Sequence, residues 1–335
     1  MPYNTEEHLS AALQDAVGNR PFTPDFDQIE ARGRKLRNRR LAWRATAGTS
    51  FAAAAIAAVA VATSGTGTTA PAQLAAPKPS VTSGSTASAG ATQEAPLVQL
   101  VGYLTTAEQP AGDATLLLRD QVYKTGLKVD VWDLHADNGD YYFAKTKGAL
   151  PAQVKGKHLQ EDEAGRKAVV AAAKYAAKGD LNDARKKMAF AYVPKNPKVK
   201  PTLEAPGVTP SLPAASLKKL PKGADPALYA VNTTDNWVWN NSMDALMVGA
   251  GSPTVRAGVL RLLNQMPEIK VAPGTYQGQK VLTLTAGQPA IGGNDHESLV
   301  INAESGLPIK YTNDFVTVNY TVERVTIADV AKGKF

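Results

Sequence analysis

A chain of 335 residues with a formal net charge of +7 and no cysteine is long enough to bury a real core, but it has no thiol chemistry. Disulfides, cysteine nucleophiles, thiolate zinc sites and a lipid-modified cysteine are all excluded. The positive balance is uneven: Lys145 to Lys200 holds 14 Lys or Arg against five acids. That run reads either as a basic patch facing an anionic wall polymer or as solvated helix faces that keep the protein soluble; no nucleic-acid partner is expected.

In chain order, Asn4 with Glu7 forms a capping pattern ahead of an apolar stripe at Leu9, Ala12, Leu13, Ala16 and Val17, ended by Gly18 and Pro21. An isolated helix of this length is marginal in water, so Leu9, Leu13 and Val17 are candidate contacts for a partner. A second helix follows Pro24-Asp25, with Phe26, Ile29, Leu36 and Trp43 along one side. Arg32, Arg34, Lys35, Arg37, Arg39, Arg40 and Arg44 then precede a segment with no ionisable side chain before Lys78. Ala45 to Thr63 within it, at ~1.5 Å per residue, reaches ~28 Å, about one hydrocarbon core. It reads as a single membrane span, and the arginines place residues 1–44 in the cytoplasm and the bulk of the chain outside the cell membrane. A cleaved export signal, with Ala70-Pro71-Ala72 as its small-residue site, also fits; a soluble alanine-rich helix would need a polar face, which Phe51 to Ala62 lacks. Residues 64–96 are Gly, Ser, Thr, Ala and Pro with few large apolar side chains, the composition of a disordered tether.

Residues 97–335 are expected to form an extracytoplasmic α+β domain, its halves 97–193 and 214–335 joined by the proline-rich stretch 194–213. Strands are predicted at 97–104, 114–119, 126–134 and 141–144, with Asn138-Gly139 turning the last pair. Helices follow over 161–178 and, capped by Asp180, to about Tyr192. Trp237 and Trp239 share a face if their segment is extended, and with Tyr229 they are the candidate ligand contacts, since aromatic rings offer large area with a polar tip. Packing in the core is the competing reading. Ser252-Pro253 opens a helix whose buried stripe is Val255, Val259, Leu262, Leu263 and Met266, with Arg256 and Arg261 pointing elsewhere. Strands close the chain at 281–285, 298–302, 308–312 and 315–327. A cavity is expected between this final sheet and the helix from Pro253 to Met266.

Catalytic motifs are absent from the sequence. The four histidines, His8, His135, His158 and His296, have no metal-ligand spacing, and neither a nucleophile elbow nor a phosphate loop occurs. Asp133, His135 and Asp137 fail as a calcium loop, because the glycine falls one place late and Ala144 stands where a bidentate glutamate belongs. His296 between Asp295 and Glu297 reads as an exposed turn. No catalytic residue, metal or cofactor is assigned, and a non-enzymatic binding or sensing module is expected; an unrecognised hydrolase is the weaker alternative.

The basic tail, alanine-rich span and tether, together with Val255-Arg256-Ala257-Gly258-Val259-Leu260-Arg261-Leu262-Leu263 and Asn302-Ala303-Glu304-Ser305-Gly306-Leu307-Pro308-Ile309, resemble actinobacterial single-pass envelope proteins of unassigned function. The strand, Ser-Gly-Leu-Pro turn and strand more distantly resemble LolA-like and RseB-like domains. That resemblance implies a curved antiparallel sheet wrapped around helices and able to hold acyl chains. The LolA-like resemblance thus implies an amphipathic envelope ligand, while the layout, similar to that of sigma-factor regulators, implies a cytoplasmic regulator such as a sigma factor at the N-terminal helix.

Overall fold

The computed structural model describes residues 95–335 apart from 161–162, 195–196, 198–200, 213, 219, 221 and 293–294. The tail with Leu9, Leu13 and Val17, the span at 45–63 and nearly all of the tether lie outside the described residues. Among those described, no helix is long and apolar enough to cross a membrane.

The architecture is α+β, with one curved antiparallel sheet of eight strands and a layer of helices. In chain order the strands are β1 (Ala114–Tyr123), β2 (Lys128–Ala136), β3 (Tyr141–Ala144), β4 (Lys270–Tyr276), β5 (Gln279–Ala286), β6 (Glu297–Asn302), β7 (Pro308–Thr312) and β8 (Val316–Val325). They lie in the order β3-β2-β1-β8-β7-β6-β5-β4. Two meanders therefore meet at one seam, where β1 runs antiparallel to β8 from Ala114 opposite Val325 to Tyr123 opposite Val316. Both halves of the chain contribute to the same sheet.

The longer helices are α1 (Pro96–Thr106), α3 (Glu163–Ala176), α4 (Leu181–Ala189), α7 (Thr233–Gly249) and α8 (Pro253–Leu263); α2 (Leu150–Lys155), α5 (Ala214–Leu217), α6 (Pro226–Tyr229) and α9 (Ile327–Ala331) are short. Residues 97–104, predicted as a strand, belong to α1. Leu97, Leu100 and Leu104 are buried at helical spacing, and Pro96 occupies the first turn, where its missing amide costs nothing. The segment around Trp237 is also helical rather than extended: the Asn232 side chain accepts from the Asp235 amide and starts α7. Strand β4 escaped the sequence pattern because Pro273 and Gly274 sit inside it; as an edge strand with six of its residues exposed, it tolerates both.

The main core packs α1, α3, α4, α7 and α8 against Leu282, Leu284, Leu299 and Ile301 on one face of the sheet. A second core lies on the other face at the β3 end, where Ala114, Leu116, Leu134 and Tyr142 meet Leu150, Val154 and Val330 of α2 and α9. Helix α8 is buried nearly all round, and its stripe is as predicted, but Arg256 is buried with it. Its guanidinium donates to the carbonyls of Ala250 and Ser305, and burial lowers its pKa to about 10. The helix lysines of the basic run are exposed while Arg166 and Arg185 turn inward, so that run is largely a solvated face.

Gly258 marks the closest approach of α8 to α3: a Cβ there would collide with the carbonyl oxygen of Ala173. Because backbone blocks it, Gly258→Ala should cost about 3 kcal/mol, the upper end for overpacking. Gly148→Ala, with nothing within 4 Å of the added atom, should stay within about 0.5 kcal/mol. Urea unfolding midpoints of the two variants check this contrast.

Candidate functional site

Side chains alternate across a strand, so cross-strand register defines rows on each face. On the helix-bearing face one row runs Leu284, Leu299, Tyr311, Val318, Gln121, Val129 from β5 to β2. Burial falls along it: Leu284 and Leu299 are in the main core, whereas Gln121 and Val129 are half-buried. The neighbouring row is Tyr320, Arg119, Val131, also half-buried. Beyond it Phe143, opposite Asp133, is half-buried as well. The helices thus close the β5–β7 part of this face and also bury Leu117, Val322, Thr115 and Asp133, so that the open part is the half-covered patch around Gln121, Arg119, Val129 and Val131.

Arg119 stands in the middle of the open part. Its Nε donates to Asp133 Oδ2 at 2.5 Å and its Nη2 to Asp133 Oδ1 at 3.1 Å, leaving Nη1 outside the fork. The Tyr141 hydroxyl donates to the same Oδ1 at 2.6 Å. Burial alone would lower the Arg119 pKa, but the attraction and hydrogen bonds of Asp133 reverse that and raise it, so the guanidinium stays charged. Burial also raises the Tyr320 pKa, with Arg119 opposing and Asp244 of α7 adding to the rise. Desolvation is the largest influence on both groups, yet a quarter of the Arg119 side chain remains open to solvent. Arg119 therefore sits where the helical layer covers the sheet only in part. It is flanked by Tyr141, under the Arg166 guanidinium at 4.7 Å, and by Tyr320, which like Met247 of α7 packs against Leu117, Ala250 and Val322.

His135 stacks on Tyr141 with ring centroids 4.5 Å apart and planes at 9°. Its Nδ1 is buried without a hydrogen-bond partner. Desolvation, helped by Arg119 and Arg166 and only partly offset by Asp133, pushes its pKa down to about 4. The failed calcium motif is accounted for by pairing: Asp133 holds Arg119, and Asp137 holds Arg324.

The sequence-predicted aromatic site residues lie elsewhere. Trp237 and Trp239 are both in the main core, turned to different sides of α7, and the Trp239 indole N–H donates to Glu297 Oε2 at 2.6 Å. Tyr229 is half-buried at the end of α6. Between the final sheet and α8, where a cavity was expected, Val259, Leu260 and Leu263 are buried in one core with Leu284 and Ile301. Glu297, read as part of an exposed turn, begins β6 and accepts from Trp239. The open patch itself was missed; Arg119 interrupting an apolar strand three residues after Leu116 was the one signal in the sequence.

No protein-family model, curated protein or solved structure matches this chain.

A neutral buried histidine sets a pH dependence with a definite sign. The unfolded chain takes up the proton near the ordinary value of about 6.5, the native state only near 4. Stability should therefore fall as pH drops from about 6.5 towards 4, and His135→Phe should flatten that part of the profile. Denaturant midpoints measured for both proteins between pH 4 and 7 test it; equal slopes would show that His135 is not the group responsible.

Proposed function

We propose that this chain is a single-pass, membrane-anchored protein whose extracytoplasmic domain binds an amphipathic envelope component without chemically altering it. The observation that carries the reading is the incompletely covered sheet face: Val129, Val131 and Phe143 offer apolar area beside one charged donor, Arg119. Apolar walls with a few placed polar groups suit a ligand that has an apolar body and a hydrogen-bond-accepting end. Nη1 of Arg119, left over from the Asp133 fork, is the donor for that end.

An environment-sensitive fatty-acid probe, dansyl-undecanoic acid, should bind the protein saturably and brighten. Val131→Asp places a charge against the apolar body and should weaken binding by about tenfold or more, about 1.4 kcal/mol. Unsaturable emission, or equal affinity in the variant, would overturn the ligand reading.

The arginine cluster before Ala45 supports an N-terminus in the cytoplasm, and the capped stripe of Leu9, Leu13 and Val17 supports a cytoplasmic partner such as a sigma factor. A reporter active only outside the cytoplasm should give signal when fused after Pro96 and none after Arg20. The reverse pattern would refute the topology. In the correctly inserted protein, Leu9→Asp with Leu13→Asp should abolish recovery of the cytoplasmic partner.

A further inference from the structure

The proline-rich connection crosses the first turn of α7 and is tied there at several points. The amide of Glu204 donates to Thr234 Oγ1 at 2.9 Å, and the Thr234 amide donates back to Glu204 Oε2 at 3.1 Å. Asn232 Nδ2 donates to the carbonyls of Ala205 and Val208 at 2.8 and 3.0 Å. The Gly207 amide donates to Asp235 Oδ2 at 2.8 Å. Arg185 of α4 donates through Nε and Nη2 to Asp235 Oδ1 at 3.2 and 2.5 Å, and through Nη1 to the Glu204 carbonyl at 2.7 Å. Gly207 lies so near Pro267 that an added Cβ would strike its ring, which brings the strap against the turn after α8.

The next residue in that turn, Glu268, has both carboxylate oxygens buried and without a well-formed hydrogen bond; the groups near them are its own backbone amide and the Asp235 carboxylate. Two carboxylates meeting without a donor between them require a proton. The groups that face Glu268 are Asp235 from α7 and Arg185 from α4, and all three Arg185 nitrogens are already engaged by Asp235 and the strap. The other nearby charges do not relieve it: the Glu204 carboxylate is bonded to the Thr234 amide, and Lys270, two residues further on, is exposed.

We propose that Glu268 and Asp235 share one proton in a buried acid pair that latches the strap at 201–212 onto α7, and that losing this proton releases the strap. In the acid form Glu268 donates to Asp235, whose other contacts hold Gly207 and Arg185 in place. Ionised Glu268 faces a second carboxylate with no free cation among the described residues, and it escapes by swinging out with the Pro267 turn. That movement removes the packing under Gly207. Desolvation, opposed by Glu268's own backbone amide, reinforced by Asp235 and opposed again by Arg185, holds the Glu268 pKa up at about 7. With the unfolded value near 4.5, the latch contributes in full below about pH 4.5 and is lost as pH rises through about 7. The device is independent of ligand binding on the open sheet face.

The test is amide hydrogen exchange in the full-length chain, expressed as protection relative to each amide's intrinsic rate. Protection of Gly207 should fall by about tenfold or more between pH 5.5 and 8.5, while that of Leu299 in β6 stays high and reports an intact fold. Glu268→Gln, which cannot ionise and can still donate to Asp235, should hold Gly207 protection at its low-pH level throughout. An unchanged Gly207 in the wild-type protein, or the same fall in the variant, would overturn the latch. Should the variant lose Leu299 protection, the carboxyl carbon resonance of wild-type Glu268 decides: a midpoint near 7 supports the shared proton, and one near 4.5 refutes it.

Discussion

A helix buried on every side must bring its polar side chains into the core already paired, and α8 sets that condition for the whole helical layer. Val255, Val259, Leu260, Leu262 and Leu263 are buried around its circumference, each contributing about 1.5–3 kcal/mol through area removed from water. Its arginines are satisfied by backbone rather than by acids. Arg256 takes the carbonyls of Ala250 and Ser305, and Arg261 takes those of Ala176 and Gly179 at 2.8 Å each. The second pair lies at the C-terminal end of α3 and just past it, where helix carbonyls lack partners. Thus α8 binds the end of α3, the turn after α7 and the β6–β7 turn into one body. Removing either guanidinium would strand carbonyls that no water reaches easily.

That rigidity has a boundary. Over β5 to β7 the sheet face is sealed by apolar contact, while over β1 and β2 it carries Arg119, Asp133 and Tyr141, joined by hydrogen bonds, with His135 stacked on Tyr141. Asp133 is the centre of this group: almost wholly buried, it is reached by a guanidinium and a phenol. Such a network fixes side-chain positions. The result is an ordered, half-solvated surface next to a tight core, the arrangement a binding face needs if it is to recognise shape without first having to order itself.

Much of the fold could be read directly. Alternation marked β1, β2 and β5 to β8, the Asn138-Gly139 turn marked the β2–β3 hairpin with Gly139 at φ +100°, and Ser252-Pro253 marked α8. Three readings went astray for local reasons. Leu97 to Leu104 fits both periods in part, and burial of Leu97, Leu100 and Leu104 decided for helix. The Trp-Val-Trp run suggests a strand, yet the Asn232 cap imposed a helix. Pro273 and Gly274 concealed an edge strand. The site was less legible, because it is made by register between strands and by where the helices stop. Val131, Arg119 and Tyr320 become neighbours only when β2, β1 and β8 align. Nor does any local pattern announce that Glu268 meets Asp235 across 33 residues of chain.

The seam between β1 and β8 ties residues 114–123 to residues 316–325. A ribosome delivers these strands about two hundred residues apart, so the first meander has its edge unpaired during nearly all of synthesis and any passage across a membrane. The sheet can be completed only when the last strand has emerged, which makes assembly a late, concerted event rather than a vectorial one. Until then β1 offers an open row of backbone donors and acceptors, and the chain depends on its own continuation, or on a chaperone, to cover them.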